Sequence, residues 1–69
     1  MRYAIVIEKA QDNYSAYVPD LPGCIATGTG LQEIEAHIRE AIKFHLDGLR
    51  EDGIPPPQPS SHVEYVEAR

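Results

Sequence analysis

From Leu31 onward the apolar residues fall at Leu31, Ile34, Ile38, Ile42, His45 or Leu46, and Leu49, every third or fourth position. At 100° per residue this spacing lines one face of a helix. A helix of about 20 residues is roughly 30 Å long. In a chain of 69 residues it leaves the remainder one main task, which is to build the surface that the apolar stripe covers. Thr29 is expected as the N-cap, with Gln32 three residues on completing a capping box that satisfies two N–H groups at the helix start. Gly53 suits the left-handed position just past the helix, and the prolines from Pro55 cannot continue it.

The segments on either side read as strands. Arg2 to Glu8 alternates Tyr3, Ile5 and Ile7 against Ala4, Val6 and Glu8, with a β-branched centre. The polar connection Lys9–Asn13 leads into Tyr14–Val18, so the two segments form an antiparallel hairpin that Pro19 stops. Cys24–Thr27 is a short third strand closed by Gly28. In the corner between them, Pro19 and Pro22 fix φ and Gly23 accepts a backbone angle other residues resist, with Asp20 and Leu21 expected on its tip. After the helix, Ile54–Ser61 holds four prolines and serves as a stiff spacer that returns the chain. His62–Glu67 alternates again as a last strand. The expected architecture is a single α+β domain over residues 1–69, ordered β-β-β-α-β, with one long helix on one face of the sheet.

Composition limits what such a domain does. A single core this small rarely supplies more than about 3–5 kcal/mol without a staple. Cys24 is the one cysteine, and no Cys/His spacing provides a structural zinc site. Self-association is the remaining common solution. One helix leaves a sheet face bare, and the first strand is apolar on both faces, so a homo-oligomer is expected, a dimer or tetramer. With 11 acidic against 6 basic residues and a net charge of −5, the surface repels a polyanion and attracts a basic partner. Direct nucleic-acid binding is not expected. No apolar run approaches the ~20 residues that cross a bilayer, and Glu8 comes too soon for a signal-peptide core, so the expected location is the cytoplasm.

The run Tyr14-Ser15-Ala16-Tyr17-Val18-Pro19-Asp20-Leu21-Pro22-Gly23-Cys24 is followed by Thr27-Gly28-x-Gly30, then Glu40-Ala41-Ile42-x-x-His45-Leu46 and Glu51-Asp52-Gly53-Ile54-Pro55-x-Pro57. Over nearly the whole chain this pattern resembles the HicB-like antitoxin family. The resemblance implies a partial ribonuclease-H-like fold, a three-stranded meander and a helix with a fourth strand beside the first. It also implies the antitoxin half of a type II toxin–antitoxin pair, whose partner is a small basic HicA-like toxin that cleaves mRNA and whose antitoxin domains commonly form dimers or larger assemblies. Many members carry a C-terminal DNA-binding domain. Here the sequence stops at Arg69, just after the last expected strand, so direct operator binding is not expected.

Chemistry of its own has little to stand on. A nuclease of ribonuclease-H type needs carboxylates converging on divalent metals, with an acid at the centre of the first strand. That place holds Ala4, Ile5 and Val6. Cys24 has no base or positive field assigned to it, and reads as a small packing residue entering a strand. His37, His45 and His62 make no metal-ligand pattern, and no metal or cofactor is expected. Pro56–Pro59 contains the minimal PxxP pattern and reads as spacer. Phe44 sits about 140° from Leu31 and Leu49 on the helical wheel, either an edge-of-core aromatic or a contact with another chain. The contact surface for the toxin is expected at Tyr17, Asp20, Leu21 and Phe44, with Glu33 and Glu40 helping orientation. The alternatives are an orphan oligomeric domain that binds another ligand or partner and, further off, a degenerate nuclease.

Overall fold

The computed structural model describes all 69 residues. Three antiparallel strands precede one helix: β1 Val6–Lys9, β2 Tyr14–Tyr17, β3 Ile25–Gly28 and α1 Leu31–Glu51. The sheet order is β1-β2-β3, which is the expected meander. Its register pairs Ile7 with Ala16 and Ala16 with Ala26 on one face, and Val6 with Tyr17 and Tyr17 with Ile25 on the other. The helix covers the first face. Ala16, Val18, Leu21, Cys24, Ile34 and Ile38 are buried together there, with Tyr3, Ile5, Ile7, Tyr14, Ala26, Ala41, Ile42 and Leu46 packed around them. The opposite face has no covering element, and along it Tyr17 is 41% and Ile25 68% exposed.

The corner between β2 and β3 consists of two consecutive turns that share Leu21. The Leu21 N–H donates to the Val18 carbonyl at 3.1 Å, and the Cys24 N–H donates to the Leu21 carbonyl at 3.0 Å. Pro19 and Pro22 each supply the second residue of a turn, and Gly23 has φ of +84°, as the third residue of a type II turn requires. Both turns curl about Leu21, and its side chain is fully buried. The expectation that Leu21 stands on an exposed tip is therefore corrected: a branched apolar side chain between two turns is placed inward, where it adds to a core of only six buried residues.

The helix start also differs from expectation. Gly30, with no side-chain cap of its own, is the N-cap. Glu33 reaches back instead, accepting both the Thr29 N–H and, at 2.6 Å, the Thr29 hydroxyl, so the contact is one-sided and uses Glu33 rather than Gln32. The helix end is as expected. Gly53 has φ of +71°, its N–H donates to the Arg50 carbonyl at 3.0 Å, and the Ile54 N–H donates to the Leu49 carbonyl at 2.8 Å, the Schellman arrangement.

Two strand expectations are corrected at the outer side of β1. The first strand is shorter than Arg2–Glu8, beginning at Val6. His62–Glu67 forms no strand, and no residue beyond Ile54 joins a backbone–backbone hydrogen bond. The two shortfalls have one physical cause, since residues 2–5 extend past the end of β2 and only a strand on the outer edge of β1 would pair them. Alternating sequence makes a segment fit to be a strand, but ladder bonds require a neighbour.

Candidate partner-binding surface

The solvent side of α1 is sorted by charge. At 100° per residue Glu33, Glu40, Phe44 and Glu51 fall within about 40° of one another, and Arg39, Lys43 and Arg50 within about 40° on the other flank. All seven are exposed. His37 shares the acidic flank, and its Nδ1–H donates to the Thr27 carbonyl of β3 at 2.6 Å. The acidic flank thus faces the β3 edge of the sheet and the basic flank faces β1. One salt bridge joins them, from Arg50 to Asp47 at 3.2 Å, with both side chains more than half exposed, where such a pair contributes little.

Phe44 stands among these acids with 82% of its surface exposed. Of its two expected roles, edge-of-core packing does not hold, because the ring leaves the sheet margin uncovered. A bare aromatic ring rimmed by carboxylates has the chemistry of a protein contact: an apolar anchor for a pocket, ringed by charge that orients a cationic partner. Glu33 combines this position with its hold on Thr29. Those hydrogen bonds, with a smaller contribution from His37, keep its carboxyl below the ordinary range.

The other expected contact residues lie elsewhere. Tyr17 projects from the uncovered sheet face, in the row Val6–Tyr17–Ile25. Asp20 is occupied within the chain, where its carboxylate accepts the backbone N–H groups of Ser61 and Ser60, each at 3.0 Å, and their hydroxyls at 2.8 and 3.1 Å. Led by the Ser61 N–H, these donors lower its pKa from 3.8 to about 2. Asp20 is the latch that holds the proline-rich segment against the corner. The six expected residues thus separate into a helix-flank group of Glu33, Glu40 and Phe44, a sheet-face residue, a latch and a core residue. Glu51, seven residues on from Phe44, lies on the same flank although it was not among the expected contact residues.

Cys24 is 3% exposed, and burial pushes its thiol up, which suits packing and disfavours a thiolate. No three of the His, Cys, Asp and Glu side chains gather closely enough to share a metal ion.

A family profile described as the HicB_like antitoxin of bacterial toxin-antitoxin system matches residues 3–69. A 14.9 kDa protein of the rep-hol intergenic region of Haemophilus phage HP1 is 41% identical over 66 residues, covering 96% of this chain and 50% of the phage protein. A UPF0150 protein of Archaeoglobus fulgidus is 43% identical over 56 residues, 77% of this chain and 81% of its own length. The chain therefore spans half the length of the phage relative and most of the archaeal one. Among solved structures, a chain of the "HicA3 and HicB3 toxin-antitoxin complex" superposes with a TM-score of 0.74 at 32% identity, over 87% of this chain and 70% of that one.

Proposed function

Because this chain belongs to the HicB-like antitoxin family, we propose that it neutralises a small, basic, mRNA-cleaving HicA-like toxin by binding it directly. The toxin is seated on the acidic flank of α1 around Phe44, and RNA is kept from its active site by occlusion. The observation that carries this reading is the placement of an 82% exposed phenylalanine among Glu33, Glu40 and Glu51 in a chain of net charge −5. An enzyme that handles RNA needs cationic surface to hold phosphates, and the same surface is drawn to a carboxylate-lined flank. Long-range attraction speeds the encounter, and burial of the aromatic ring supplies much of the affinity.

The likeness to a chain of a HicA3–HicB3 complex supports a partner of this class. The protein acts by binding and carries out no reaction itself, and its place of action is the cytoplasm, where mRNA is translated. The test is a binding titration against a small basic HicA-like toxin. Phe44→Ala is expected to weaken binding by more than about tenfold, equal to ~1.4 kcal/mol, and Glu40→Lys with Glu51→Lys to slow association. Binding unchanged by all three substitutions would remove the helix flank as the site.

A further inference from the structure

The basic residues of this acidic chain are not spread evenly. Arg2 precedes β1 and Lys9 ends it, while Arg39, Lys43 and Arg50 line the helix flank that faces it, so five of the six gather about one edge of the sheet. The ion pairs of the chain join Arg50 to Asp47 and His62 to Glu64, which leaves Arg2, Lys9, Arg39 and Lys43 without a carboxylate partner. Among them lies an open groove of about 460 Å³ between the start of the chain and α1, floored by Tyr3, Ile5, Ile38 and Ile42. Arg2 and Arg39 stand at its rim, with Glu35 beside them.

The backbone next to the groove is open as well. β1 is an edge strand. The Ala10 N–H donates to the Asn13 carbonyl at 2.8 Å, and the register pairs Glu8 with Ser15 and Val6 with Tyr17. By the alternation of an antiparallel ladder, Val6 and Glu8 bond inward to β2, and Ile5, Ile7 and Lys9 turn their N–H and C=O groups outward. The chain's own tail comes alongside only at Arg2–Ala4 and makes no backbone–backbone hydrogen bond there.

We propose that this edge takes up an extended acidic segment of another protein as an added strand, hydrogen-bonded to Ile5, Ile7 and Lys9. On the helix side of that strand an apolar side chain enters the groove, and carboxylates two residues to either side of it, on the same face, meet Arg2 and Arg39. The recognised pattern is acid-x-apolar-x-acid. Charge complementarity sets the sign of the partner, with Lys43 adding to the field. The outward backbone groups and the apolar floor call for a strand, which gains main-chain hydrogen bonds along an open edge and specificity from alternate side chains. A nucleic acid would use the cations and leave both of those features idle. This face is the flank opposite Phe44, so the contact is independent of toxin binding and survives or fails without it.

An NMR titration with the capped peptide Thr-Glu-Thr-Leu-Thr-Glu-Thr tests the proposal on the intact chain. The amide signals of Ile5, Ile7 and Lys9 are expected to shift at millimolar peptide. Binding should weaken about tenfold or more with Arg39→Glu and Lys43→Glu together, should weaken with added salt, and should be unchanged by Phe44→Ala. Peptides with Lys in place of Glu, or Ser in place of Leu, should bind more weakly. The proposal is overturned if the acidic peptide leaves the β1 amides unmoved or binds no better than these two controls. It is equally overturned if single-stranded RNA of mixed sequence shifts the same amides at lower concentration than the peptide.

Discussion

Leu21 and Phe44 show at single-residue scale how burial assigns roles that residue type leaves open. Leu21→Ala removes a fully buried side chain, and such truncations cost about 2–5 kcal/mol. That is comparable to the whole stability of a domain this small, roughly 3–5 kcal/mol. A urea titration should find this variant largely unfolded without denaturant, whereas Phe44→Ala should shift stability by less than about 0.5 kcal/mol. The sequence marks the corner's rigidity through its prolines but not its inside, because two turns sharing one residue produce the same run of residue types as a loop displaying it. Asp20 is legible in sequence as a residue of note but its hold on Ser60 and Ser61 is not, since its four donors lie about forty residues further along the chain. Its folded pKa of about 2 lies below the usual 3.8. The latch is therefore complete above the ordinary carboxylate range and is lost as pH falls through it toward 2. Amide resonances of Ser60 and Ser61 followed by NMR should move with a midpoint near that folded value. A midpoint at the ordinary carboxylate value would mean that the latch does not form.

At the scale of elements, the junction between β3 and α1 is the tightest point of the fold. A Cβ on Gly28 would meet the Ile34 backbone nitrogen at 2.9 Å and its Cα at 3.1 Å. Neither can yield without moving the first turn of the helix. Gly28→Ala should cost about 1–3 kcal/mol, as overpacking does, and lower the thermal midpoint while leaving the helical signal of the folded fraction intact. The helix itself was the most legible element. Its stripe, its Schellman end and its length all follow from local sequence, and the observed Leu31–Glu51 agrees with them. The meander was legible for a similar reason, because each strand is joined to the next by a short turn. Legibility failed where an element depends on a distant neighbour: His62–Glu67 has the alternation of a strand and finds no partner within the chain, and Arg2–Ile5 remains unpaired with it. The sorting of acids and bases onto two helix flanks was present in the spacing but invisible until His37 fixed which flank faces β3.

The whole molecule measures 45 × 26 × 16 Å, an elongated slab with a helix along one side and a bare sheet face on the other. Among its exposed apolar residues, Tyr17 and Ile25 lie on the sheet face, Phe44 on the acidic flank and Val63, Tyr65 and Val66 in the tail. Exposed apolar surface beside a six-residue core is the kind of surface on which the proposed protein contact draws. Under the function proposed above, the partner is a HicA-like toxin met at the charged Phe44 flank. The decisive measurement is RNA cleavage by a HicA-like toxin, followed as the purified chain is added. Cleavage should fall to background as the two reach equimolar amounts, and the Phe44→Ala protein, equally well folded, should need a clear excess to match it. Cleavage that continues undiminished with the folded chain in molar excess would contradict the antitoxin assignment.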